Sequence, residues 1–373
     1  MSFGFSIRPR TRTSIGAVLT ATAVAVALSA CGSDSSPTAS SSSASPSSTA
    51  VTSKTVTLVT YDSFALSKKT LADFTKKTGI TVKVLKNGDT GKVVNTAILT
   101  KNRPQGDVLF GIDNTFLSKA LDAGIFEPYT SPGLADIDPK YVLDPDHRVT
   151  PVDHGDVCLN YDKTWFAAKK IAPPASFEDL AKPQYKDLLV VENPATSSPG
   201  LSFLLATVAK YGQDGWTDYW TSLKDNGVKV QPGWDEAYYG DFTAGGDKGK
   251  RPIVVSYASS PAAAFDYSEK KLTDSPTASV DSTCFSSIEF AGILAGAKHA
   301  DAGRVLVDYL IGTEVQKDIP PNMYVYPVRT GTPLPESFTK YAKPVASPLT
   351  LDAATIDENR EAWTRTWQQT VLG

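Results

Sequence analysis

Histidine is nearly missing from this chain: His147, His154 and His299 are the only three in 373 residues, and no His-Glu-x-x-His pair exists to seat a catalytic zinc. Gly-x-Ser-x-Gly, Cys-x-x-Cys and Gly-x-x-x-x-Gly-Lys-Ser/Thr are also missing, so an elbow-borne serine nucleophile, a dithiol redox centre and a P-loop have no support. His154 lies in the strand-like stretch "VDHGDV", where a histidine is more often a satisfied structural residue than a general base. There is no basic tract to meet nucleic acid or an anionic lipid surface, no internal repeat and no metal-ligand spacing. The composition argues against an enzyme and leaves a binding protein to be read from what is present.

The N-terminus is a different material from the rest. Arg8, Arg10 and Arg12 precede an apolar run, Ile15 to Leu28, that is too short to span a bilayer comfortably, and Leu28-Ser29-Ala30 then leads into Cys31. Residues 1–30 are expected to be a secretory signal. The cysteine directly behind "LSA" resembles the lipobox of bacterial lipoproteins, which implies Cys31 as a lipidated mature N-terminus that anchors the chain to a membrane on its extracytoplasmic side. Residues 31–54 are nearly all Ser, Thr, Ala and Pro, and cannot bury enough apolar surface to offset their ordering entropy. They are expected to form a flexible tether. Without the three leader arginines, the 37 basic residues fall further below the 40 acidic ones, so the exported part is mildly acidic. The roughly 320 residues left to fold suit two lobes or one large domain.

With Cys31 assigned to lipid, Cys158 and Cys284 remain, and an oxidising compartment permits them to pair; the alternative is two separately buried thiols. Both sit in strand-like stretches, "DVCLNY" and "TCFSSIEF". If those segments cross between lobes side by side, the cysteines become neighbours at a hinge.

"TVTLVTY", "ITVKVLK" and "GDVLFGI" read as strands, separated by the helical "SKKTLADFTKKTG", which stops at Gly79, and "KVVNTAILTKN". Strand and helix in alternation imply a parallel α/β lobe. Ligands of open α/β sheets bind beyond the carboxyl ends of the strands, so the "TYDSF" that closes the first strand and the Asp113-Asn114 that closes the third are predicted on one rim. Asp113 could equally cap a helix starting near Thr115. A second block contains the strand "LLVVENP", a helix entered through "SSPG", a separate Trp-rich helix "DGWTDYWTSLKDNG", the loop "QPGWDEAYYGDF" and the strand "RPIVVSY". The expected organisation is a first lobe from 55 to 156, a second from 157 to 284, and a return to the first over 285–373. The last helix carries Trp363 and Trp367 on one face, and its lobe is left open.

At the strand ends stand Tyr61, Trp234, Tyr238, Tyr257 and Tyr324, with Asp113 and the hydroxyls of Thr196, Ser197 and Ser198. Aromatic faces attract delocalised cations, each good contact contributing roughly 0.5–2 kcal/mol, and a carboxylate adds complementary charge. "ATSSPG" opens a helix whose first free N–H groups suit a phosphate or carboxylate. The predicted ligand is a flat cation, with an anionic tail as an option.

"VTYDSF", "DVLFGIDN", "NPATSSPGL", "GWDEAY", "VVSYASSPA", "NMYVYPV" and "REAWTRTWQ" resemble, in order and spacing, the thiamine-binding proteins of ABC transporters within the extracytoplasmic solute-binding superfamily. The resemblance runs from about residue 55 to the end. It implies an α/β, two-lobed periplasmic-binding-protein fold of type II, with a hinge of two crossing strands and a cleft between the lobes. It further implies a monomer without cofactor or catalytic metal, which binds thiamine or a thiamine phosphate and delivers it to an ABC transporter permease. On this resemblance Tyr61, Trp234 and Tyr257 line the cleft, Asp113 faces the cation, and Thr196, Ser197 and Ser198 receive the hydroxyl or phosphate end. Tyr324 stands where relatives carry a tryptophan, and Ala263 where some carry a tyrosine, a loss that Phe265 or Tyr267 could offset. Competing expectations are a ferric-ion receptor using Tyr238 and Tyr239, a polyamine receptor, and a thiamine-degrading enzyme with Cys158 or Cys284 as nucleophile.

Overall fold

Ten strands join in one sheet among the residues that this computed structural model describes, 51–246, 248–268 and 271–373. The expected signal, Cys31 and all but the end of the expected tether lie outside the described residues. The end of that tether is bound to the folded body, because Thr52 and Ser53 donate to the Asp301 carboxylate, Ser53 Oγ at 2.5 Å.

The first elements are β1 (Thr55–Thr60), α1 (Lys68–Thr78), β2 (Thr81–Lys86), α2 (Thr90–Leu99), β3 (Val108–Asp113) and α3 (Leu117–Asp122), with β1 parallel to both β2 and β3. Helix α1 ends because Gly79 takes a left-handed conformation, φ 71°, that an L side chain resists, and its N–H closes onto the Thr75 carbonyl. Strand β3 is buried along its whole length, as the continuous apolar run demands.

The short β4 (Phe126–Glu127) precedes β5 (Thr150–Asp162), α4 (Lys163–Lys169), β6 (Leu189–Glu192), α5 (Ser198–Asp225), β7 (Lys229–Gln231), β8 (Ile253–Tyr257) and α6 (Ser260–Asp266). Then come β9 (Thr277–Leu294), α7 (Ala300–Leu310), α8 (Thr313–Met323), β10 (Tyr326–Pro327), α9 (Glu336–Tyr341) and α10 (Ala353–Val371). The sheet order is β2-β1-β3-β9-β5-β8-β6-β7. Strands β5 and β9, 13 and 18 residues long, run antiparallel through the middle. The late half of β9 pairs with β3, and the late half of β5 pairs with β8. Each long strand thus belongs to both lobes, which makes the pair a hinge.

One apolar core spreads from Val94 and Leu109 in the first lobe to Phe203 and Trp220 in the second, while Phe74, Leu306 and Ile311 fill the opposite face of the first. A fully buried side chain of this size contributes about 1.5–3 kcal/mol. The two helices expected over 198–226 form one element broken at Gly212, whose φ of 71° and ψ of 178° are not helical. Helix α10 packs on the second lobe, with Trp367 edge-on to Trp220 at 5.3 Å and Trp363 Nε1 donating to Gln213. It also reaches the first lobe, where Arg360 donates to Ser118 Oγ at 2.8 Å.

Cys158 and Cys284 form a disulfide buried with Ala258 between the two hinge strands. The register slips there: Val157 faces Phe285, yet Leu159 faces Val280, so β9 carries a bulge beside the bridge.

Candidate functional site

Tyr61 leaves β1 and lies over Gly111, whose φ is 98° and where an added Cβ would fall 2.2 Å from the tyrosine ring. That close approach, together with the positive φ, requires glycine. The Tyr61 hydroxyl donates to Glu289 Oε2 at 2.9 Å, across to β9. Trp234 and Tyr238 come from the second lobe, where a π-helical turn, Glu236–Asp241, stacks their rings 4.7 Å apart at 20°. The indole is held by Nε1–H donating to Ser256 Oγ at 2.9 Å. Tyr257 ends β8, and Gly155 on β5 leaves room for its ring. Tyr324 follows α8 with φ 54°, held by its hydroxyl on Asp266 and by Ser259 donating to its carbonyl.

Together these five aromatics bound a cavity of about 760 Å³ between the lobes. An adjoining recess of about 250 Å³ is lined by Thr196 and Lys92, with Asp62, Asp235 and Glu236. The lobes touch here. Lys92 N–H donates to the Thr196 carbonyl at 3.2 Å, and Gly91 approaches the Thr196 backbone so closely that a Cβ would fall 2.7 Å from its carbonyl carbon.

Five carboxyls line the cavity, Asp62, Asp89, Asp162, Asp235 and Glu289, and two of them, Asp89 and Glu289, bond to its aromatic residues. Asp89 caps α2 through Thr90 N–H and accepts from Trp234 N–H at 2.8 Å; burial pushes its pKa up to about 6. Glu289 is 5% exposed, and burial, then repulsion from Asp153, holds its pKa well above the usual carboxylate range. The expectations missed both. Asp89 carried a signal, an Asp-Thr-Gly helix start, and Glu289 carried another, a lone acid inside the apolar "SSIEFAGI".

Four residues expected to contact ligand lie off the cavity lining. Asp113 is sealed from the cavity: its oxygens accept Thr115 N–H, Thr115 Oγ–H at 2.7 Å, Phe116 N–H and Ser198 Oγ–H. A capping role has consumed its acceptors. Ser198 is buried as one of those donors, and Ser197 is buried as the cap of α5, its Oγ accepting Gly200 N–H. Thr196 reaches only the recess, where its hydroxyl donates to the Pro232 carbonyl at 2.6 Å.

Among the competing expectations, Tyr238 is buried under Trp234 while its neighbour Tyr239 is 55% exposed, with the two rings at 82°, so the pair does not converge. No group of three or more His, Cys, Asp or Glu side chains able to hold a metal occurs among the described residues. His154 is sandwiched between Tyr141 and Tyr326 at 4.6 and 5.3 Å, and burial lowers its pKa to about 4.

A two-lobed α/β body with a ligand-sized cavity at its hinge is the architecture of a solute receptor. The sequence pattern of the bacterial extracellular solute-binding proteins matches residues 104–359, and the chain belongs to that family. Within it, the chain is similar to the thiamine-binding periplasmic protein of Escherichia coli (strain K12), 30% identical over 85% of this chain and 93% of that one. The thiamine-binding periplasmic protein of Brucella suis biovar 1 is 29% identical over 84% and 91%. A solved periplasmic thiamin binding protein superposes with a TM-score of 0.74 at 28% identity, covering 85% of this chain and 96% of the other.

Proposed function

We propose that this chain captures thiamine between its lobes, outside the cytoplasm, and delivers it chemically unaltered to an ABC importer. The observation that carries this reading is the convergence of Tyr61, Trp234, Tyr257 and Tyr324 on one cavity that also receives the carboxyls of Glu289 and Asp89. A thiazolium ring offers the delocalised charge such faces attract, and a few contacts of about 0.5–2 kcal/mol, added to the burial of two flat rings, reach the roughly 8–12 kcal/mol of micromolar to nanomolar capture. Groups from both lobes contact the ligand, so the closed form is populated by its extra affinity over the open one. Cys31 would carry the lipid that keeps the receptor, acting as a monomer, beside its permease. The thiamine-binding relatives support the ligand and the transport role.

Tryptophan fluorescence of the purified protein, titrated in turn with thiamine, thiamine monophosphate, putrescine and ferric citrate, tests the reading. Thiamine is expected to bind at micromolar concentration or below and to be recovered intact by mass spectrometry. A protein silent to thiamine that takes up coloured iron ends the reading; ligand breakdown points to an enzyme.

A further inference from the structure

Three carboxyls stand in one cross-strand row beneath the cavity. Asp113 on β3 faces Glu289 on β9, and Glu289 in turn faces Asp153 on β5. Like charges directly opposite one another destabilise a sheet, so the row needs compensation. Asp113 has it, from the four donors described above. Asp153 does not: it is fully buried, no N–H or hydroxyl reaches either of its oxygens, and its one hydrogen-bonding neighbour is the Glu289 carboxyl. Glu289 has the Tyr61 hydroxyl besides Asp153, and it opens on the cavity.

The groups facing this pair are Tyr61 from β1, Asp113 from β3 and Tyr257 from β8, and none of them is cationic. Strand β10 places only Pro327 beside Asp153. His154 lies in the ring stack between Tyr141 and Tyr326. Burial raises the affinity of both carboxyls for protons; repulsion from Asp153 raises that of Glu289 further, while a hydrogen bond with Glu289 offsets part of the rise at Asp153. Two adjacent buried carboxyls cannot both ionise cheaply and titrate as a unit.

We propose that the Asp153–Glu289 pair is the cation-recognition centre of the cleft and works by exchange. With the cleft empty the two carboxyls share one proton; a ligand of fixed positive charge seated over Glu289 replaces it, and the proton leaves to solvent. The pair and its occupant together carry one negative charge in both states, since the cation that enters replaces the proton that leaves. This inference rests on the thiamine reading, and adds that capture is linked to proton release and strengthens as pH rises.

Calorimetry of thiamine binding near pH 7, in phosphate and in Tris, tests it on the unaltered protein, because a released proton is taken up with a different heat by each buffer. The heats should differ by the equivalent of about one proton per ligand, and affinity should rise by up to about tenfold per pH unit while the pair is protonated. Glu289→Gln should abolish the buffer difference. Tight binding with equal heats in both buffers overturns the exchange and leaves the thiamine reading standing, as does a buffer difference that survives Glu289→Gln. An absence of thiamine binding in any buffer overturns both.

Discussion

The backbone N–H of Trp234 donates to the carboxylate of Asp89 at 2.8 Å, and the two residues belong to different lobes. Asp89 also caps α2, so one side chain terminates a helix of the first lobe and holds the ring-bearing loop of the second. A bond to an ionised carboxylate is about twice as strong as a neutral one, and the Lys92 to Thr196 contact reinforces it nearby. The aromatic wall that would hold a cation is therefore positioned in part by lobe closure itself.

Asp89 should leave a pH signature. Its folded pKa of about 6 lies above the roughly 3.9 of an unfolded aspartate, so between those values the native protein holds the extra proton. Stability from this group is full below about pH 4 and declines as pH rises to about 6. Asp89→Asn removes that decline. In urea unfolding at pH 4 and pH 6.5, the variant should gain on the parent by about 1–3 kcal/mol between the two, a range reduced for the partial solvent access of the group. A constant difference means that Asp89 ionises as easily folded as unfolded.

Trp234→Ala removes the upper ring of the Trp234–Tyr238 stack and the anchor on Ser256. Thiamine affinity is expected to fall at least about tenfold, the scale of one desolvated ring–cation contact. Calorimetry measures this directly; an unchanged dissociation constant moves the ligand away from this wall.

Asp113→Ala should act on the fold and not on the ligand. The substitution leaves the Thr115, Phe116 and Ser198 donors without their buried acceptor, at a cost of about 1–3 kcal/mol. The urea midpoint should drop while thiamine affinity stays within about threefold of the parent. The opposite pattern, lost affinity at full stability, returns this carboxylate to the ligand.

The alternation of strand and helix, the glycine stop after α1 and the two-lobed plan were legible in the sequence because each has a local cause: periodicity, a left-handed cap, a buried apolar run. Tyr61 and Tyr257 were legible because they close β1 and β8, whose carboxyl ends face the cleft; Trp234, Tyr238 and Tyr324 come instead from the turn around Glu236–Asp241 and the end of α8. Which carboxyl serves the cavity was not. Asp113 and Glu289 occupy facing positions on adjacent strands; three of the donors that spend Asp113 are local, from Thr115 and Phe116, and the fourth, Ser198, is brought from α5 across the lobe boundary. Nor could spacing reveal the bridge from Asp89 to Trp234, which spans 145 residues and exists only when the lobes meet.

The disulfide crosses the hinge at the point where β5 and β9 lose register, so it cross-links strands that the ladder holds least well. Cys158 and Cys284 are 126 residues apart, and in the chain-entropy account closing so long a loop restricts the unfolded ensemble by about 5 kcal/mol, against a typical measured contribution of about 2–4 kcal/mol. Replacing both by serine should lower the unfolding free energy on that scale and bring the urea midpoint down. The strands remain paired on both sides of the bulge, so thiamine affinity should change by less than about threefold. Thiol titration of the denatured mature domain, lipidated cysteine aside, should find no free thiol before reduction and two after. Equal urea midpoints for oxidised and reduced protein would show that β-pairing alone holds the hinge closed and that the bridge adds no stability.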